Sequence, residues 1–318
     1  MITITDHKLL IDSTTRRWHS LDALLPDVTT VRERGEYDFL VAPDHAGGWL
    51  FRTNHLADTD LGSIWREPST AALVPVVVDS SAHELDKSLQ WWRETVGREL
   101  IQRLSTAAIY LMLPSRDVWA IPTLQRHGFH PHTVVAVRDR RPDLPPSLQY
   151  DELKIGTATV ACAEDVISLW HEVIAYDAQI GVCYDRGQTS AMLRRATLDL
   201  LARPERAVWV AEWRGDPVGL CMVDLPGYCN AIGCYVKRDD PVYISAFGIR
   251  GGQRDKGIGR HLIAHVHAVL AAAGHTTILL HHAVMNPLCA PFWARSKYRP
   301  LWTVWRLSAH KVQYQRMP

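Results

Sequence analysis

Much that commonly marks a protein's role is missing from this sequence. No run reaches about 18 apolar residues, so no membrane-spanning helix is expected. Lys and Arg number 35 against 34 Asp and Glu, a net charge of +1. No overall field therefore draws the chain to nucleic acid or an anionic membrane. Its cysteines (162, 183, 221, 229, 234 and 289) stand singly, with no C-x-x-C pair to suggest a zinc knuckle or a redox dithiol. His261 and His265 lie one helical turn apart but have neither an adjacent glutamate nor a third ligand, so no metal site is expected. The opening residues, Met-Ile-Thr-Ile-Thr-Asp-His, lack the basic and apolar layout of a secretory signal, and a cytoplasmic protein is the expectation.

What is present describes a globular chain, 47% hydrophobic and 22% charged over 318 residues, enough for two cores of ordinary size. Ala71 to Val78 is a continuous apolar run broken by Pro75, which suits a buried or edge strand. A helix is expected over 84–104, with Leu85, Leu89, Trp92, Val96, Leu100 and Leu104 on one stripe. Strands at 107–113 and 133–137 flank a helix over 117–127. Residues 138–148, rich in charge and proline, form the linker candidate. Beyond it come a strand near 153–160 and helices over 164–176 and 189–202. A hairpin follows around Arg214-Gly215-Asp216, then an irregular connection over 228–239. Before Thr70 the pattern is weak, with a short helix expected at Leu21 to Leu25 and a strand at Tyr37 to Ala42.

The densest signal lies between Tyr243 and Ala273. Tyr243 to Ile249 reads as a strand. Ile258, Leu262, Ile263, Val266, Val269 and Leu270 then recur at helical spacing. Between them, Arg254-Asp255-Lys256-Gly257-Ile258-Gly259 forms a basic, glycine-rich turn. The first amides of a helix have no partners within it and sit at the positive end of its dipole. Glycines there let a phosphate approach those amides, and Arg254, Lys256 and Arg260 add charge. A surface loop with scattered glycines is the plainer reading. The order of parts also repeats: strand 71–78, helix 84–104, strand 107–113, helix 117–127 and strand 133–137 parallel 243–249, 258–273, 276–282, 287–297 and 301–307. The first half carries Asp79-Ser80-Ser81 where the second has its glycines, and acidic sequence would repel a diphosphate.

Arg254-x-x-Gly257-x-Gly259, directly after a strand ending Ala-Phe-Gly-Ile, resembles the acyl-CoA diphosphate loop of the GNAT superfamily of N-acyltransferases. That resemblance implies an α/β fold of two GNAT-like domains, each a mixed, mostly antiparallel central sheet flanked by helices. Residues 1–145 would be a degenerate copy and 146–318 the acyl-CoA-binding domain. Arg254, Asp255, Lys256, Gly257, Ile258, Gly259 and Arg260 would hold the diphosphate. Phe247, Gly248 and Ile249 would offer main-chain groups to the cofactor arm. Gly248 fits a bulged position where a side chain would obstruct the ligand, or it is simply a weak spot in a strand. Asn286 would contact the arm, cap the next helix ahead of Pro287, or do both.

The implied reaction is transfer of an acetyl group from acetyl-CoA to the amine of a small molecule. Another acyl group or an oxygen acceptor is an alternative, as is an acyl-CoA-binding regulatory or scaffold protein without turnover. The last gains support because Trp293 falls where the family often places an acidic tyrosine, and indole donates a hydrogen bond but is no useful acid. His281 and His282 alternate faces, so at most one enters a cleft. His282, nearer the strand's end, is the candidate base, with Ser245 and Tyr298 as further catalytic candidates.

Overall fold

The computed structural model describes residues 4–41, 47–78, 81–95, 107–139, 151–205 and 207–308. The first half runs through helices α1 (Ile4–Leu21) and α2 (Val28–Arg34), then strands β1 (Asp38–Val41), β2 (Gly47–His55) and β3 (Ser69–Val77). Helix α3 (Ala82–Glu94), β4 (Ala107–Pro114), α4 (Ile121–Arg126) and β5 (His130–Asp139) complete it. The second half comprises β6 (Leu153–Thr157), α5 (Ala163–Gln179), α6 (Thr189–Leu201), β7 (Val208–Trp213), β8 (Asp216–Asp224) and α7 (Asn230–Gly233). It ends with β9 (Val242–Ile249), α8 (Ile258–Ala272), β10 (Thr277–Ala283), α9 (Cys289–Arg295) and β11 (Arg299–Ser308).

The eleven strands of the described residues form one sheet, in the order β1-β2-β3-β4-β11-β5-β10-β9-β8-β7-β6. Among the described residues, β3 with β4 and β9 with β10 run parallel and the other pairs antiparallel. The mixed, mostly antiparallel sheet flanked by helices is as the sequence implies, but it is continuous across both halves. At its centre the last strands are exchanged. Strand β11 of the second half lies between β4 and β5, and β5 of the first lies between β11 and β10.

Strand alternation separates the cores. On β10, Ile278 and Leu280 pack under α8 and α9, whereas Leu279 and Ala283 face the other way. Helices α1 and α2 cover that second face on the first half, and α5 and α6 cover it on the other. Helices α3 and α4 lie on the same side as α8 and α9.

Several local expectations change. Residues 21–25 form no helix: α1 ends at Leu21, and the Asp22 carboxylate accepts from the Leu24 N–H at 2.9 Å, a turn that competes with helix. Helix α1 was hidden because its buried stripe, Leu10, Thr14 and Trp18, is interrupted by a threonine. Strand β3 is interior rather than an edge. Pairing with β4 stops at Leu73, so Pro75 has no ladder bond there to lose. The hairpin expected at 214–216 forms with Arg214 and Gly215 at φ 55° and 89°, the left-handed values a tight turn needs. The connection over 228–239 contains the short helix α7. Most of the linker candidate and the end of the helix expected over 84–104 lie outside the described residues.

Candidate functional site

The parallel pair β9 and β10 holds together over three residues only, Val242 to Ile244 against Ile278 to Leu280. One step further, Met222 pairs with Ala246 but Val223 pairs with Ile244, which leaves Ser245 as an extra residue. Such a bulge sharpens the local twist and turns the strand away from its neighbour. The bulge therefore sits at Ser245, not at Gly248. Beyond it, the facing edges of β9 and β10 carry no strand between them. A cavity of about 1040 Å³ lies next to this parting, lined by the end of β9, the glycine turn, α5, α8 and α9.

One end of the cavity is the glycine turn. Asp255 and Gly257 have φ of 63° and 78°, a region that costs glycine nothing and that aspartate tolerates. Helix α8 begins directly afterwards, so its first amides open on the cavity. A Cβ on Gly259 would stand 3.3 Å from both Ile249 Cγ1 and Phe292 Cε2, which lets the first helical turn sit close against β9 and α9. Arg254 donates from Nε to the Ile249 carbonyl at 3.1 Å, and its guanidinium lies 4.7 Å over the Tyr176 ring. Neither Arg254 nor Arg260 has a carboxylate partner among the described residues. Lys256 reaches Gln253 Oε1 at 2.7 Å and lies outside the cavity lining. The other turn residues, with Phe247, Gly248, Ile249 and Asn286, all line the cavity.

Helix α5 supplies the opposite wall. A Cβ on Gly248 would stand 2.4 Å from Val173 Cγ2, so glycine is needed there to seat α5, and Gly248 is not bulged. The helix expected over 164–176 runs on to Gln179 and so includes Asp177, one turn beyond Val173. Asp177 lines the cavity and accepts from Asn286 Nδ2 at 3.2 Å. Burial pushes its carboxyl up to about 6. Asn286 is only 5% exposed, and its Oδ1 accepts from the Leu288 N–H at 3.0 Å. That is a turn ahead of the helix, because α9 starts at Cys289 with Leu288 as its cap, two residues later than the expected Pro287 start.

The catalytic candidates lie apart from one another. Tyr298 is buried, its hydroxyl 2.9 Å from His267 Nε2. His267 itself lines the cavity, and burial lowers its imidazole to about 3, so it is neutral. His282 is half-buried on the α8 side with Nδ1 3.2 Å from the Ala283 carbonyl oxygen. Ser245 Oγ approaches the Met222 carbonyl at 3.5 Å. His281 faces the α5 side, its Nδ1 3.1 Å from the Tyr243 hydroxyl, and burial leaves it neutral at about 3. Trp293 packs in an aromatic group with Phe247 and Phe292, at centroid distances of 5.1 and 4.9 Å. Among the described residues no group of three or more His, Cys, Asp or Glu could hold a metal ion, and no helix is long and apolar enough to cross a membrane.

Residues 175–297, which span the bulge, the glycine turn and α9, match the model of the acetyltransferase (GNAT) family. No curated protein sequence matches the chain. Among solved structures, a GCN5-related N-acetyltransferase from Sphaerobacter thermophilus is similar at TM-score 0.59 and 16% identity, over 94% of this chain and 90% of that one. The GCN5-related glucosamine N-acetyltransferase region of a fungal multi-domain GH3 beta-N-acetylglucosaminidase is similar at TM-score 0.50 and 12% identity, over 96% of this chain and 37% of that one. At such identities the likeness is one of fold.

Proposed function

We propose that the chain is an N-acetyltransferase that moves the acetyl group of acetyl-CoA to the amine of a small molecule. The observation that carries this is the wedge itself. An unpaired strand edge, an open helix N-terminus behind a left-handed glycine and arginines without carboxylate partners all face one cavity. Amides at Gly257 to Arg260 would receive the diphosphate, with Arg254 adding charge. The free edge of β9 from Ser245 to Ile249 would take the arm as an added strand. Asp177 and Asn286 would meet its amides from the far wall.

In the reaction the amine lone pair attacks the thioester carbon, the C–S bond breaks, the thiolate takes a proton and the amine gives one up. Ser245 and His281 follow the last paired step of β9 and β10 on the α5 side, His282 faces α8, and the Tyr298 hydroxyl is held by His267. Burial leaves His281 a weak proton acceptor, so the proton-accepting position stays with His282. Trp293 leaves the cavity wall formed by α9 without a tyrosine, which favours a second reading, acyl-CoA binding without turnover.

We further read residues 1–145 as a degenerate copy and 146–318 as the acyl-CoA domain. Each half has a parallel pair that parts early, β3 with β4 after Leu73 and β9 with β10 after Ile244. In the first half, the Thr14 hydroxyl of α1 engages both the N–H and the carbonyl of Val77 at 2.9 Å, so the strand edge is already taken.

The test is calorimetric binding of acetyl-CoA together with thiol release across a panel of amines. Binding with amine-dependent release is the expected result. Binding without release by any amine supports the second reading, and no binding overturns both.

A further inference from the structure

The α5 side of the sheet carries a polar band between its two apolar cores. On β10, Leu279 belongs to the core under α1 and α2, Ala283 to the core under α5 and α6, and His281 falls between them. On β9 the same place is held by Tyr243 and the bulged Ser245, before Ala246. Three strands from β10, Tyr110 of β4 pairs across from Arg306 of β11. Both reach Glu67, which accepts from the Tyr110 hydroxyl at 2.7 Å and from Arg306 Nε at 3.0 Å. Tyr184, after α5, closes the same group at 2.9 Å. The β9–β10 pairing ends one residue before Ser245 and His281, so this band meets the wedge where the strands part.

The wall contributed by the first half carries three arginines. Arg34, Arg52 and Arg66 take part in no ion pair among the described residues. Some exposed arginines elsewhere, Arg194, Arg214 and Arg238 among them, hold carboxylates at 2.6, 2.9 and 2.7 Å. Arg52 lies 4.7 Å over the Tyr37 ring and donates from Nη1 to the Gly35 carbonyl at 2.7 Å, while its Nε is buried without a partner. Arg34 Nη2 lies beside Gly233, 3.8 Å from where a Cβ would stand. Arg66 is exposed, between Trp65, stacked on Trp170 at 6.4 Å, and Glu67. Its charge bears on Tyr37, Tyr243 and His281 together. The Tyr37 and Tyr235 hydroxyls, 2.9 Å apart, join the two walls.

Resting on the acetyltransferase reading above, we infer that this band is the acceptor site and that it takes a primary amine also carrying an anionic group, carboxylate or phosphate. The amine lies at the parting of β9 and β10. The anion lies against Arg66, with Arg34 and Arg52 adding to the field. Guanidinium groups without carboxylate partners suit oxyanions through short, charge-assisted bonds. A polycationic amine would meet three like charges at the same wall, which selects against it. The first half then serves the reaction by supplying specificity, although its own wedge is filled.

The test uses the full chain loaded with CoA and probe pairs that differ in the anion: glucosamine 6-phosphate against glucosamine, and phenylalanine against phenethylamine. Calorimetry is expected to show the anionic member of at least one pair binding ten-fold or more tightly than its partner. R66E should abolish that difference and R66K keep most of it, while CoA affinity stays unchanged in both. A chain that binds CoA but prefers neither anionic probe overturns this inference alone, as does a preference that survives R66E. A wild-type chain that does not bind CoA instead overturns the acetyltransferase reading beneath it.

Discussion

Replacing Asp177 by asparagine isolates what it costs to hold a carboxyl in the wedge. Asparagine keeps the shape, and its carbonyl can still accept from Asn286 Nδ2, now at 3.2 Å from Asp177. Only the ionisation is removed. The carboxyl ordinarily titrates at 3.8 and is pushed by burial to about 6 in the folded chain. At about 1.36 kcal/mol per pH unit, that difference corresponds to a ceiling of about 3 kcal/mol against the folded, ionised form. The sign follows from proton counts. Between pH 4 and 6 the folded chain holds a proton on Asp177 that the unfolded chain has released, so wild-type stability from this group falls as pH rises. Above 6 the penalty is complete, and below 4 it is absent. D177N should therefore unfold at higher urea than wild type at pH 8, with the gap shrinking to nothing at pH 3.5. A gap that stays constant from pH 4 to 8, or a less stable D177N at pH 8, would refute the burial of this carboxyl.

Two further outcomes follow from the wedge. In G259V the new side chain begins 3.3 Å from Ile249 and Phe292 and also covers the first amides of α8. Acetyl-CoA affinity should drop at least about ten-fold, worth about 1.4 kcal/mol, with the circular dichroism spectrum unchanged; unaltered affinity in a folded variant sinks the diphosphate assignment. In T14V the buried N–H and carbonyl of Val77 lose their partner, which should destabilise the chain by about 2–3 kcal/mol in urea unfolding. A loss below about 0.5 kcal/mol would mean that the hydroxyl does not plug the first wedge.

What could be read from the residues was local. The strand, turn and helix over 243–273 announced themselves because apolar spacing, glycines and charge coincide within thirty-odd positions, and the cavity gathers the end of that strand and most of the turn. Helix α1 escaped because Thr14, a core position, is polar for a tertiary reason, its bond to Val77. Asp177 escaped because a carboxylate at the end of an amphipathic helix reads as a solvated residue until Asn286, over a hundred positions away, is known to lie on it. The unpaired arginines at 34, 52 and 66 are indistinguishable in sequence from those that carry ion pairs. Whether a guanidinium has a partner is decided by long-range packing.

The central strand exchange is the least readable feature and the one with the widest consequence. Among the described residues β5 lies between β11 and β10, and β11 between β4 and β5, so each half's last strand is bonded wholly to the other half. Neither half can complete its sheet alone, and cutting the chain between them would bare long, flat strand edges. The exchange also fixes the two walls of the polar band. Arg306 reaches Glu67 from β11, while His132 on β5 lies beside Tyr110, ring centroids 5.7 Å apart. Had each terminal strand stayed in its own half, these side chains would face separate cores. An acceptor site drawing on both halves thus needs no docking of preformed domains, because the swapped strands place its walls in register as the sheet forms.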